Sequence, residues 1–108
     1  MTFSPSYIKF GSKIPASIAT PEALAPTPTK ALSVTIKAYR STRTVNTGVV
    51  YLGNSSTDES QLYPLTPGQE ITILAGGDGI LDLSDIYVDS VTSSDGVQFC
   101  YTQPTRVV

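Results

Sequence analysis

Chemistry in this chain would have to begin with its carboxylates. Asp78, Asp82, Asp85, Asp89 and Asp95 crowd one stretch, and loop oxygens of this kind are what a hard cation such as calcium takes as ligands. Their spacing does not match the EF-hand loop. Gly76-Gly77-Asp78-Gly79 matches the opening of a calcium-binding nonapeptide repeat, yet the aspartate that such a repeat needs next falls on Leu81, and the motif occurs once. Solvated aspartates in turns account for the stretch more simply, so neither a metal nor another cofactor is expected.

The remaining chemistries are closed by composition. With no histidine in the chain, triads and dyads that rely on imidazole are impossible, as are zinc sites of His or mixed His/Cys type. The single cysteine, Cys100, rules out an internal disulfide and a thiolate metal cluster. It stands off-phase in the alternation Val97, Phe99, Tyr101 with no basic neighbour in sequence, which describes an inert thiol. A paired-carboxylate glycosidase would want aromatic platforms beside two acids, but there is no tryptophan. The glycines at 76, 77 and 79 lack the lysine and hydroxyl of a phosphate-binding loop. No catalytic centre is expected, which leaves a structural or binding module.

Charge narrows the partners. The net charge is only -2, but Lys9, Lys13, Lys30, Lys37, Arg40 and Arg43 face Glu22 alone in residues 1–43, whereas residues 44–105 hold acids and no basic residue. An acidic body repels phosphate, so nucleic acid is not an expected partner. The two charge regions instead favour contact with each other or with oppositely charged protein surfaces. No apolar run approaches the roughly 20 residues that span a bilayer, and the amino terminus lacks the layout of a signal peptide. A membrane is therefore not expected either.

The elements that would position any site read as strands. In residues 1–30, Pro5, Pro15, Pro21, Pro26 and Pro28 disfavour helix and interior strand, which predicts an extended arm. Phe3, Tyr7, Ile8, Phe10, Ile14 and Ile18 make that arm too apolar for a solvated linker. With Lys9, Lys13 and Lys30 they are the candidate partner-binding residues, and removal of residues 1–30 is expected to leave the rest folded. From residue 31 to 108 the chain reads as one domain. Leu32, Val34, Ile36 and Ala38 alternate with polar neighbours over 32–40, the period of a strand with one buried face. Further strands are expected at 48–53, at 61–65 on an edge because of Pro64, at 70–74 after a type II turn at Pro67-Gly68, within 86–91, and at 97–102. Tyr51, Tyr63, Tyr87 and Tyr101 are expected as half-buried sheet residues. Short strands separated by turns at regular intervals predict an all-β protein, a small β-sandwich or jelly-roll-like barrel. Its exposed edges need cover, which favours a homo-oligomer or docking on a larger surface.

The pieces VVYLGNSS, LYPLTPGQEITI, LDLSDIYVDS and DGVQFCY, in that order across residues 48–102, resemble a pattern in small head decoration and cement proteins of tailed bacteriophages. The resemblance implies a β-sandwich on the outside of a capsid, with the major capsid protein as partner and a homotrimer as the assembly. It also implies a virion location, reached by assembly in the bacterial cytoplasm. It does not extend to the arm and carries over no catalytic residue. A tail, baseplate or fibre module that binds host glycans shares this composition and is the alternative, distinguished by a saccharide site with exposed aromatics.

Overall fold

Alternation does most of the folding. In a computed structural model that describes residues 8–39, 46–57, 61–76 and 79–103, Val34, Ile36 and Ala38 of one strand point inward while Ser33, Thr35 and Lys37 point out. Each strand with this period needs a second apolar layer to cover its inner face. The chain supplies it with a second sheet. The strands are β1 (Ile8–Lys13), β2 (Glu22–Ala23), β3 (Lys30–Ala31), β4 (Ser33–Ala38), β5 (Val50–Gly53), β6 (Gln61–Leu65), β7 (Glu70–Leu74), β8 (Leu81–Asp82), β9 (Tyr87–Ser90) and β10 (Val97–Thr102). A 3-10 turn at Leu83–Asp85 precedes β9.

Sheet I has the order β1-β10-β4-β7 and sheet II the order β2-β9-β5-β6, with β3 and β8 paired as a two-stranded annex. All pairings are antiparallel. Without the short β3 and β8, this is the strand order of a jelly roll, in which all but one of the connections cross between sheets. The all-β sandwich of jelly-roll type expected from the sequence is therefore the fold. Val34, Ile36, Ala38, Val97 and Phe99 from sheet I meet Val50, Leu52, Leu65 and Val88 from sheet II in one core, with Leu24, Ala25, Ala31 and Leu83 closing it. The turn at Pro67-Gly68 forms as expected: Gly68 has φ 88° and the Gln69 N–H donates to the Thr66 carbonyl at 2.9 Å.

The expectation for residues 1–30 needs correction over the described part, 8–30. This stretch was expected to leave the body, but β1 pairs with β10 along its whole length, β2 pairs with β9, and Leu24 and Ala25 are core residues. The prolines explain why both statements hold. Pro5 and Pro15 bracket a proline-free window that is long enough for an edge strand, and an edge is where interrupted strands belong. Thus the prolines excluded an interior strand without excluding a strand.

Four described segments gather at one end of the sandwich, at 14–21, 46–49, 66–69 and 91–96. Gly96 sits at their centre, because a Cβ there would lie 2.4 Å from the Lys13 carbonyl oxygen and 2.7 Å from an Ile14 side-chain carbon. Only glycine lets β1 arrive so close to the β9–β10 turn.

Candidate interaction surface

Two of the aspartates weighed as cation ligands, Asp82 and Asp95, hold the protein's own turns. Asp95, buried, accepts the Thr47 N–H at 3.0 Å on one carboxylate oxygen and the Gly48 N–H at 2.8 Å on the other. Beside it the buried Asn46 exchanges two hydrogen bonds with Gly96: its Nδ2 donates to the Gly96 carbonyl and its Oδ1 accepts the Gly96 N–H, both at 2.9 Å. At the opposite end Asp82 Oδ1 accepts from Thr29 N–H (2.9 Å), Ser84 N–H (3.0 Å) and Ser84 Oγ (2.7 Å), capping the 3-10 turn. The Thr29 backbone bond, followed by the two from Ser84, holds the Asp82 carboxyl below its usual range. Among the described residues no three of Cys, Asp and Glu converge.

Glu22 has a similar structural task. It lies on the sheet II edge strand, and its Oε1 meets Lys13 Nζ of the sheet I edge strand at 2.8 Å, while its Oε2 accepts the Ala16 N–H at 2.8 Å. The Lys13 bond first, then the Ala16 bond, lowers its pKa from the ordinary glutamate value. This pair fastens the two sheets together along the β1/β2 side.

The outer face of sheet I offers a different chemistry. By the registers of β1, β10, β4 and β7, that face carries Ile8, Phe10 and Ser12, then Gln98, Cys100 and Thr102, then Ser33, Thr35 and Lys37, then Glu70, Thr72 and Leu74. Phe10 is 79% exposed, Leu74 70% and Ile8 48%. A shallow depression of about 280 Å³ lies against Phe10, floored by Cys100, Thr35 and Gln98 and bordered by Lys37 and Glu70. Large apolar side chains held in water on a rigid sheet mark a contact surface rather than a core.

The candidate binding residues scatter across this description. Ile8 and Phe10 share the outer face, Lys9 and Lys13 lie on the inner side of β1, Ile14 and Ile18 are exposed in the following connection, and Lys30 is exposed on β3. Phe3 and Tyr7 fall outside the described residues. Of the tyrosines, 51, 87 and 101 are half-buried, while Tyr63 is exposed beside Leu62 on β6. Leu74 was missed as a surface residue, although the alternation of EITIL sets it in phase with Glu70 and Thr72. Asn46 was missed as well, and nothing in its sequence neighbourhood announces a buried latch. No protein-family model, no curated protein and no solved structure matches this chain.

Proposed function

We propose that this chain is an accessory structural protein of a bacteriophage virion, a capsid cement or decoration protein that binds the major capsid protein as a homo-oligomer, with three copies the expected number. The observation that carries the reading is the outer face of sheet I, where Phe10, Ile8 and Leu74 stand in solvent on a jelly-roll sandwich. Jelly rolls recur among viral shell proteins, an argument by analogy of fold. The ordered pieces in residues 48–102 that resemble phage decoration proteins point the same way. A glycan-binding module is less favoured because the two most exposed aromatics among the described residues, Phe10 and Tyr63, belong to different sheets.

The work of such a protein is mechanical. Covering a large apolar side chain is worth about 1.5–3 kcal/mol, so a few such contacts at each joint between capsomers add to what internal pressure must break. The test is co-sedimentation of the chain with undecorated capsids over a salt series. Binding that survives salt and is lost in Phe10→Ser, with the variant's melting temperature unchanged, is the expected result. Failure of the unaltered chain to bind the capsid at any salt concentration would sink the reading.

A further inference from the structure

The backbone at the two ends of sheet I points outward. Among the described residues no strand pairs on the far side of β1 or of β7. The Ala75 N–H donates to the Leu32 carbonyl and the Ala38 N–H to the Gln69 carbonyl. In an antiparallel ladder the bonded residues alternate, so residues 71 and 73 of β7 bond to β4, while Glu70, Thr72 and Leu74 turn their N–H and C=O groups outward. The Tyr39 N–H to Gly96 carbonyl bond fixes the same phase on the other side of β4. Residues 98 and 100 of β10 then bond to β4, residues 97, 99 and 101 bond to β1, and Ile8, Phe10 and Ser12 are left with outward groups. Each edge therefore presents its free groups at three alternate residues.

From these two edges we infer that copies of this chain associate head to tail, β1 of one copy adding to β7 of the next as an antiparallel strand. Sheet I alternates direction from β1 to β7, so the addition continues the alternation without a parallel pair. With the outward residues matched, Phe10 faces Thr72 of the neighbour, Ile8 faces its Leu74, and Ser12 faces its Glu70. The pairing thus sets two exposed apolar side chains opposite each other, which stabilises antiparallel strands. The symmetric alternatives fit less well. Pairing β7 with itself about Thr72 sets Glu70 against Leu74 twice, and pairing β1 with itself about Phe10 brings Lys9 of each copy onto a diagonal with its mate.

The opposite side of each sandwich tolerates the join. The sheet II edges are the two-residue β2 and the Pro64-containing β6, neither of which templates a long ladder. Head-to-tail interfaces close into rings when the rotation closes, and Phe10 remains on the outer face when its backbone is paired. The association needs no capsid, so it stands apart from the shell-binding reading.

The experiment is disulfide trapping of the purified full chain without capsids. It uses a Cys100→Ser background, because residue 100 faces Phe10 across β1 and β10 and would otherwise form a bond within one chain. Phe10→Cys and Thr72→Cys variants are oxidised separately and as a mixture. A reducible cross-linked dimer in the mixture and in neither variant alone is expected, and Ser12→Cys mixed with Glu70→Cys repeats the result without removing Phe10. Cross-linking of Thr72→Cys alone would show β7 paired with itself, and cross-linking of Phe10→Cys alone would show β1 paired with itself. Either of these, or no cross-link in both mixtures, overturns the inference.

Discussion

The two ends of the sandwich are both held by an acid that accepts backbone N–H groups, but one acid is buried and the other meets water. Asp95, with Asn46 beside it, closes the end where 14–21, 46–49, 66–69 and 91–96 meet. Asp82 closes the other end by joining Thr29 to the 3-10 turn. The same bond chemistry has different consequences in the two places. Where water is excluded, loss of the side chain strands its partners, and each unsatisfied buried group costs about 1–3 kcal/mol. Where water is at hand, it replaces the lost acceptor. The first end is thus part of the core's stability and the second is a local fixture.

Deleting residues 1–30 tests the comparison most harshly, because it strips 14–21 from one end and 24–30 from the other. The sequence expectation was a folded remainder. With β1, β2, Leu24 and Ala25 inside the fold, we expect loss of the cooperative thermal transition in circular dichroism, and a sharp transition in the truncated chain would contradict the structure. Next in size is Asn46→Ala, which leaves both the Gly96 N–H and a share of its carbonyl without a protein partner. A loss of about 1–3 kcal/mol for each group left unsatisfied is expected in urea denaturation. Gly96→Ala should cost about 1–3 kcal/mol by overpacking, and its signature is local: hydrogen exchange should quicken first at the amides of residues 9, 11 and 13 as β1 is pushed from β10. If the quickening were uniform over β4 and β10, the contact with Lys13 would not be its cause.

Smaller effects are read at acid pH and in the reach of hydrogen exchange. Glu22 has a folded pKa below its unfolded value, so its contribution is complete above the ordinary glutamate range and is lost as pH falls through the depressed folded value. Because the Lys13 pair is partly exposed, Glu22→Gln should cost less than about 1 kcal/mol at neutral pH and flatten the acid limb of the stability curve. Asp82 titrates in the same direction. Asp82→Asn should therefore flatten the same limb, and its exchange changes should stay within 29–30 and 82–86. A global loss as large as that of Asn46→Ala would erase the distinction between the two ends.

Much of the fold was legible because its central strands obey the period-2 pattern. Val34, Ile36 and Ala38 declared β4, Val97 and Phe99 declared β10, and Pro67-Gly68 declared the turn into β7. Strand β1 was illegible for a physical reason: its pattern is inverted. Its inward positions are Lys9, Gly11 and Lys13, and its outward ones include Ile8 and Phe10, so hydropathy reads it inside out. What seats it is the Phe99 ring over Gly11 and the ion pair from Lys13 to Glu22, and neither leaves a local trace in the sequence. For the candidate surface, Ile8 and Phe10 stood out as apolar residues in search of a partner, whereas Leu74 was hidden inside a short apolar strand.

The place of β10 between β1 and β4 governs when this protein is able to fold. On a ribosome, β1 emerges early yet has no strand beside it until β10 follows, and until then β4 has β7 alone, so the middle of sheet I must wait for β10. Contacts between such distant segments make folding slow. During that interval the outward Ile8 and Phe10 and the unpaired edges travel together on an incomplete chain, which is the condition that favours aggregation. Translation, rather than the intrinsic speed of strand pairing, sets the earliest moment at which sheet I closes.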